Sequence, residues 1–160
     1  MRVILDTNLY ISHLLSRQPN ESAVGLIVAA AIARSFTLLF ARDIAEEIIV
    51  TIASRSDLSM KIAPPMARKM IDDMESFAEV MRPLPTTLPE IGRDRKDDYL
   101  LAHAVVAGAD YLVTRDKDLL DLVAIEGVRI VDPPEFLRLL RATAPVSEPD
   151  QRRHPDSPAT

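Results

Sequence analysis

Short, unbroken apolar runs that end abruptly at polar residues recur between longer segments of helical periodicity. No other feature constrains this chain so strongly. Val3-Ile4-Leu5 stops at Asp6, Leu38-Leu39-Phe40 closes with Ala41 against Arg42-Asp43, and Tyr111-Leu112-Val113 gives way to Thr114. A run of that length without polar alternation is a strand covered on both faces, the pattern of a parallel sheet sandwiched between helices. Val128 to Val131 makes a further strand. Val80 to Leu84 is assigned to an edge, because Pro83 and Pro85 cannot donate to a central ladder.

The intervening segments read as helices. One begins about Asn8, and another runs from Ser22 to Arg34. A third, Ile44 to Ala53, is capped by Asp43 and stacks Ile44, Ile48 and Ile52 on one face. After Pro64-Pro65, Met66, Met70, Met74 and Phe77 recur at helical spacing, while Arg68, Lys69, Asp72, Asp73 and Glu75 occupy the solvent side. Pro85 to Gly92 reads as loop. A helix capped by Asp97 or Asp98 extends to about Ala107 and is closed by Gly108. A short helix over Lys117 to Leu122 and a last one from Pro133, with Phe136, Leu137 and Leu140 inward, complete the pattern. The fold class expected is α/β: three layers, with a mostly parallel sheet of four to five strands flanked by helices.

The chain has 160 residues, enough for one core. Residues 1–142 are expected to form the domain. From Thr143 to Thr160 proline, serine and charge replace large apolar residues, which predicts a disordered tail. The absence of cysteine removes disulfides, thiolate zinc sites and cysteine nucleophiles, and favours an intracellular setting. Asp6 interrupts the N-terminal apolar stretch far too early for a signal peptide. The longest apolar run, Ala23 to Ala33, falls well short of the ~20 residues that span a bilayer. A cytoplasmic protein without membrane attachment is the expectation.

In an open parallel sheet, ligands bind beyond the carboxyl ends of the strands, where connections diverge to opposite faces. Asp6 directly follows the first strand, and Asp116 lies two residues beyond Thr114. Asp98 opens a helix, and Glu47 lies one turn into the helix after the second strand. Each acid taken singly has an ordinary explanation, since carboxylates at helix starts satisfy free N–H groups and the helix dipole. Four of them aimed at one sheet edge repel, and in a partly dry cleft that repulsion is answered by protons or by a cation. Oxygen ligands without cysteine or neighbouring histidine suit Mg²⁺ or Mn²⁺ rather than zinc. Such a site matches phosphodiester hydrolysis, in which metal activates a water and stabilises the leaving oxygen. Asn8 and Thr114, each two residues from one of these aspartates, are candidates to orient the carboxylates; the plainer reading makes one a helix cap and the other a strand end.

Val3-Ile4-Leu5-Asp6-Thr7-Asn8 resembles the opening motif of the PIN-domain family. Glu46-Glu47-Ile48 falls where that family has its helical glutamate. Arg93-Asp94-Arg95-Lys96-Asp97-Asp98-Tyr99-Leu100-Leu101-Ala102 resembles its third acidic segment, and Ala109 to Leu120, containing Thr114-Arg115-Asp116, its fourth. The resemblance covers roughly residues 1 to 140. It implies a parallel sheet flanked by helices, and an Mg²⁺- or Mn²⁺-dependent nuclease site made by Asp6, Glu47, Asp98 and Asp116, with Asn8 and Thr114 in support. Glu47 is preferred over Glu46 because it precedes an aliphatic residue, and Asp98 over Asp97 by its spacing to Ala102. Ala41 departs from the pattern where a serine is common. The subgroup most similar is that of small bacterial toxins of the VapC kind, which implies RNA as substrate, a cognate antitoxin protein as partner and a homodimer. The resemblance implies the apolar Ser22 to Arg34 helix as the surface that meets a second copy or the antitoxin, and simple burial explains that helix equally well.

A formal charge of −5 runs against the basic footprint of most nucleic-acid binders, although the four acids account for much of it and bound cations would offset it. Arg93, Lys96, Arg115 and Lys117 flank the acidic segments and are candidate phosphate contacts. His13 and His103 lie within helices and are assigned to packing rather than acid–base chemistry. A rival reading keeps the fold without catalysis, as a regulatory module that binds RNA or protein. A phosphatase is disfavoured, because position 8, where such an enzyme would want a second aspartate, is asparagine.

Overall fold

The computed structural model describes residues 1–84 and 95–143, the side chains of residues 95–98 excepted. Its elements follow in chain order: β1 (Arg2–Leu5), α1 (Thr7–Leu15), α2 (Ala23–Ile32), β2 (Thr37–Ala41), α3 (Arg42–Ser54), α4 (Ser56–Ser59), α5 (Pro64–Phe77), β3 (Glu79–Met81), α6 (Arg95–Val106), β4 (Tyr111–Val113), α7 (Lys117–Asp121), β5 (Ala124–Ile125), β6 (Val128–Val131) and α8 (Pro133–Thr143). The strands form one six-stranded sheet in the order β3-β2-β1-β4-β6-β5, and only β5 runs antiparallel to its neighbour.

The central strands explain the sequence pattern. Val3, Ile4 and Leu5 are wholly buried, as are Leu39, Phe40, Leu112 and Val113, so both sheet faces are covered and no strand position needs a polar side chain. Tyr10 of α1 packs its ring edge-on against Phe40 of β2, with centroids 5.4 Å apart. Phe136 of α8 closes the core by edge contact with Phe36.

The register places the site. Leu5 is paired with Val113 across the parallel β1–β4 ladder, and beyond them the Asp6 backbone N–H donates to the Val113 carbonyl at 3.0 Å. From β1 the chain proceeds outward through β2 to β3, whereas β4 and β6 lie on the other side of β1. The gap between the carboxyl ends of β1 and β4 is therefore the point where connections diverge.

The sheet has one strand more than the four to five expected from sequence. Ala124–Ile125 pairs with Val128–Arg129 through a two-residue turn at Glu126 and Gly127, both with positive φ, 46° and 86°. That is the turn geometry whose twist suits a tight hairpin, but two strand residues joined by Glu-Gly make no hydrophobic run to read. Other boundaries shift for local reasons. Helix α3 starts at Arg42 with Ala41 as its N-cap, so Asp43 lies in the first turn and is released from the capping role assigned to it. Met70 and Met74 are buried as expected, but Met66, in the first turn of α5, is exposed. The Pro85 to Gly92 segment and residues 144–160 fall outside the described residues.

Val123, between α7 and β5, is 68 % exposed and holds φ at 61°, a left-handed conformation that crowds a β-branched side chain. Val123→Gly is expected to stabilise the fold by about 1 kcal/mol, the relief of backbone strain outweighing the added freedom of glycine in the unfolded chain. Urea denaturation measures this, and a midpoint equal to or below the parent's refutes it.

Candidate active site at the carboxyl edge of the sheet

Asp6 caps α1. Its backbone is extended and its Oδ1 accepts from the Asn8 N–H at 3.5 Å. The side chain is only 8 % exposed. Its Oδ2 accepts from the hydroxyl of Thr114, at 2.6 Å, and that same hydroxyl accepts from the backbone N–H of Asp116 at 3.0 Å. Thr114 is wholly buried and so ties the end of β1 to the start of α7. Capping, the plainer reading of Asp6, and membership of an acidic site coexist in one side chain.

Burial pushes the Asp6 carboxyl above the usual aspartate range, and the nearby charge of Asp116 adds to the rise. The Thr114 hydroxyl and the N–H groups of Asn8 and Thr7 hold it down only in part. Among the described residues, neither Asp6 nor Asp116 forms an ion pair with lysine or arginine. Asp116 is half-buried and caps α7, its Oδ1 accepting from the Asp118 N–H at 2.8 Å. The Tyr10 hydroxyl is buried on the same side of α1, without a hydrogen-bond partner among the described residues; burial first, and the charge of Asp6 second, keep it protonated.

Glu47, half-buried on α3, is joined to the same edge through Thr7. The Thr7 hydroxyl donates to Glu47 Oε2 at 2.5 Å, and the Tyr99 hydroxyl donates to the same oxygen. Glu46, its competitor in sequence, is exposed, so the side chain facing Thr7 belongs to Glu47. A surface groove of about 480 Å³ runs beside α3, with Glu46, Glu47, Val50 and Tyr99 in its walls.

Asp98 lies in the first turn of α6, but its side chain is outside the described residues, as are that of Lys96 and the whole of Arg93. Asn8 presents its backbone rather than its amide to Asp6, and its side chain is exposed. Arg115 is exposed and donates to the Ser12 hydroxyl at 2.9 Å, which holds it beside α1; Lys117 is exposed at the start of α7. The structure thus brings Asp6, Thr114 and Asp116 together directly, with Glu47 one hydrogen bond from the residue that follows Asp6.

Sequence reasoning overlooked three participants. They are Thr7, inside the Asp-Thr-Asn motif, Tyr99, next to Asp98, and Asp43, which the sequence assigns only a capping role. His103 was assigned to packing and is indeed 1 % exposed, but its Nε2 lies 2.7 Å from Asp43 Oδ2. The available signal was spacing: 43 and 47, like 99 and 103, are four apart, so each pair shares a helix face.

The donor set suits a hard divalent cation. It consists of carboxylate and hydroxyl oxygens, and it includes a buried carboxylate that resists ionisation without a counter-charge. Among the described residues no three acids or histidines are gathered closely enough to make a cage by themselves. No helix among the described residues is long and apolar enough to cross a membrane.

No curated protein matches the chain. The family model described as PIN domain matches residues 2–118, from β1 into the start of α7 and across all four acidic segments. That match covers most of the chain and coincides with a mostly parallel sheet flanked by helices whose diverging edge carries Asp6 and Asp116, so the chain belongs to the PIN domain family, whose members are generally nucleases and typically depend on divalent metal.

Proposed function

We propose that this protein is an Mg²⁺- or Mn²⁺-dependent endoribonuclease that hydrolyses RNA phosphodiester bonds, with Asp6, Asp98 and Asp116 as metal ligands and Glu47 as ligand or water-orienting base. The observation that carries the reading is the buried Thr114 hydroxyl. It fixes Asp6 Oδ2 and the Asp116 backbone around one point, at the sheet edge where ligands bind in this class of fold. Arranging a buried acid beside a second one costs stability unless a cation is bound there.

A divalent ion, when bound by Asp6, Asp98 and Asp116, would supply Lewis-acid stabilisation of the scissile phosphate and lower the pKa of an attacking water. The protein does the rest. Asp6 is immobilised by burial and by Thr114, so that no reorganisation is needed when charge develops. Glu47, steadied by Thr7 and Tyr99, accepts a proton from the attacking water or orients it. Arg93, Lys96, Arg115 and Lys117 are the residues proposed to meet RNA phosphates. They flank the acidic segments in the sequence, so their charge would answer the negative net charge locally rather than globally.

In its biological setting we assign the protein to the toxin role of a type II toxin–antitoxin pair, cytoplasmic, homodimeric and silenced by a cognate antitoxin protein. The exposed Leu26 and Ile32 on α2 support an apolar docking surface there. Purified protein is expected to cut RNA in the presence of Mn²⁺ or Mg²⁺, to stop when the ions are chelated and to resume when they are restored. Cleavage that persists in chelator would overturn the mechanism. Intact folding with neither ion binding nor cleavage would favour a binding module built on the same fold.

A further inference from the structure

Helices α3 and α6 meet through two side-chain rungs. On α3, Asp43 and Glu47 are one turn apart; on α6, Tyr99 and His103 are one turn apart. Tyr99 donates its hydroxyl to Glu47, and His103 Nε2 contacts Asp43 Oδ2 at 2.7 Å. The order is reversed between the helices, so they run past each other with opposite sense. Two rungs fix sliding and rotation together, whereas a single one would leave a swivel. The Tyr99 and His103 rings also meet edge to face, 6.2 Å apart at 87°, so each holds the other's rotamer.

We propose that Tyr99 and His103 are positioning residues for the metal-nuclease site: their rungs to Glu47 and Asp43 hold the Glu47 carboxylate and the first turn of α6, which carries Asp98, in a fixed relation. The inference rests on the function proposed above. It extends that reading to residues outside the acidic quartet.

The burial pattern gives the two rungs different characters. His103 is almost wholly buried, while the Asp43 side chain is 38 % exposed, so the outer partner keeps its hydration and the inner one depends on the contact. Tyr99 is half-buried and shares Glu47 Oε2 with Thr7. Removing the Tyr99 hydroxyl therefore leaves Glu47 with the Thr7 bond, and the fold should survive. What is lost is the bond from Tyr99 of α6 to Glu47. Thr7 follows Asp6 directly, so the network runs from α6 through Glu47 to the residue beside the buried aspartate.

The test compares Tyr99→Phe, His103→Leu and His103→Gln, the last because a glutamine amide nitrogen can stand where Nε2 does. Amide hydrogen exchange in α6 from Tyr99 to His103, where the helical hydrogen bonds begin, is expected to quicken about 10-fold in Tyr99→Phe and His103→Leu, with the C-terminal turn of α3 unchanged. Mn²⁺ affinity by calorimetry should weaken about 10- to 100-fold in both, kcat should fall in parallel, and KM for RNA should stay within about 2-fold. His103→Gln should recover most of each loss. Parent-like exchange and Mn²⁺ affinity in both Tyr99→Phe and His103→Leu would overturn the proposal. If His103→Leu does not fold, Tyr99→Phe alone decides. A parent protein that binds no Mn²⁺ would refute the nuclease reading instead, while the exchange data would still show whether the rungs hold α6.

Discussion

Asp6→Asn is expected to raise the melting temperature of the metal-free protein by about 3–6 °C near neutral pH while reducing RNA cleavage by at least about 100-fold. Both effects have one cause. Asp6 is buried, and burial raises its carboxyl above the ordinary range with Asp116 contributing. A carboxyl whose folded pKa is raised stabilises the fold fully only below its unfolded value. That stabilisation disappears as pH rises through the folded value. The metal-free parent should therefore lose stability from the ordinary aspartate range upward toward neutrality. Asparagine carries no charge, and its single carbonyl oxygen can still accept from Thr114 while its amide takes the place of the long 3.5 Å cap to the Asn8 N–H, so the variant's profile should be flat over the same window.

Adding Mn²⁺ should reverse the order. At about 100 times its Kd an ion stabilises the parent by about 2.7 kcal/mol, and the variant, lacking a ligand, should respond little. Thermal melts at several pH values, in chelator and in Mn²⁺, measure all of this. A metal-free variant less stable than the parent at neutral pH would show that the Asp6 charge is already compensated. An unchanged cleavage rate would remove Asp6 from the chemistry.

Thr114→Val should be the most damaging single substitution at the site. Valine matches threonine in shape, so the wholly buried position is not hollowed out. The hydroxyl, however, serves two partners, donating to Asp6 Oδ2 and accepting from the Asp116 N–H. Its loss leaves a buried charged oxygen short of a donor, at a cost of about 2–4 kcal/mol, or a fall of roughly 6–12 °C in melting temperature. In an Asp6→Asn background the acceptor is neutral and the same change should cost only about 1 kcal/mol. The difference, read from a double-mutant cycle, is the coupling between Thr114 and the charge of Asp6. Thr114→Ser, which restores the hydroxyl, should recover most of the loss. Equal costs in both backgrounds would show that Thr114 acts by packing alone.

The arrangement explains why an acidic protein of this kind is not simply unstable. Its strand ends are tied by backbone bonds, Asp6 to Val113 and Thr114 to Val131, each 3.0 Å long, so the acids sit on a frame that cannot spread to relieve their repulsion. On the function proposed, that repulsion is what a bound cation would relieve. On that same reading, activity and stability are opposed at Asp6, which gives the metal-free melting experiment its expected sign.

Much of this was legible in the residues themselves. Runs such as Val3 to Leu5 and Leu38 to Phe40 are buried on both faces, and burial is what removes polar alternation, so the parallel sheet could be read from composition along the strand. The order of Asp6, Glu47, Asp98 and Asp116 along the chain, together with the Asp-Thr-Asn motif, pointed to the family before any distance was known. The choice of Glu47 over Glu46 followed the resemblance, in which the glutamate precedes an aliphatic residue as Glu47 precedes Ile48. The β5 hairpin was not legible, because two residues around Glu126-Gly127 carry too little periodicity to register.

What the sequence by itself determined was the set of elements and the acids at their ends, since burial and helix capping act over a few residues and leave their mark in local pattern. Only the tertiary structure decided which polar groups share those acids: Thr114 with Asp6, Thr7 and Tyr99 with Glu47, His103 with Asp43. Those partners are 40 to 108 positions apart, and a hydrogen bond depends on separation in space to within a few tenths of an ångström. Local periodicity carries no such information.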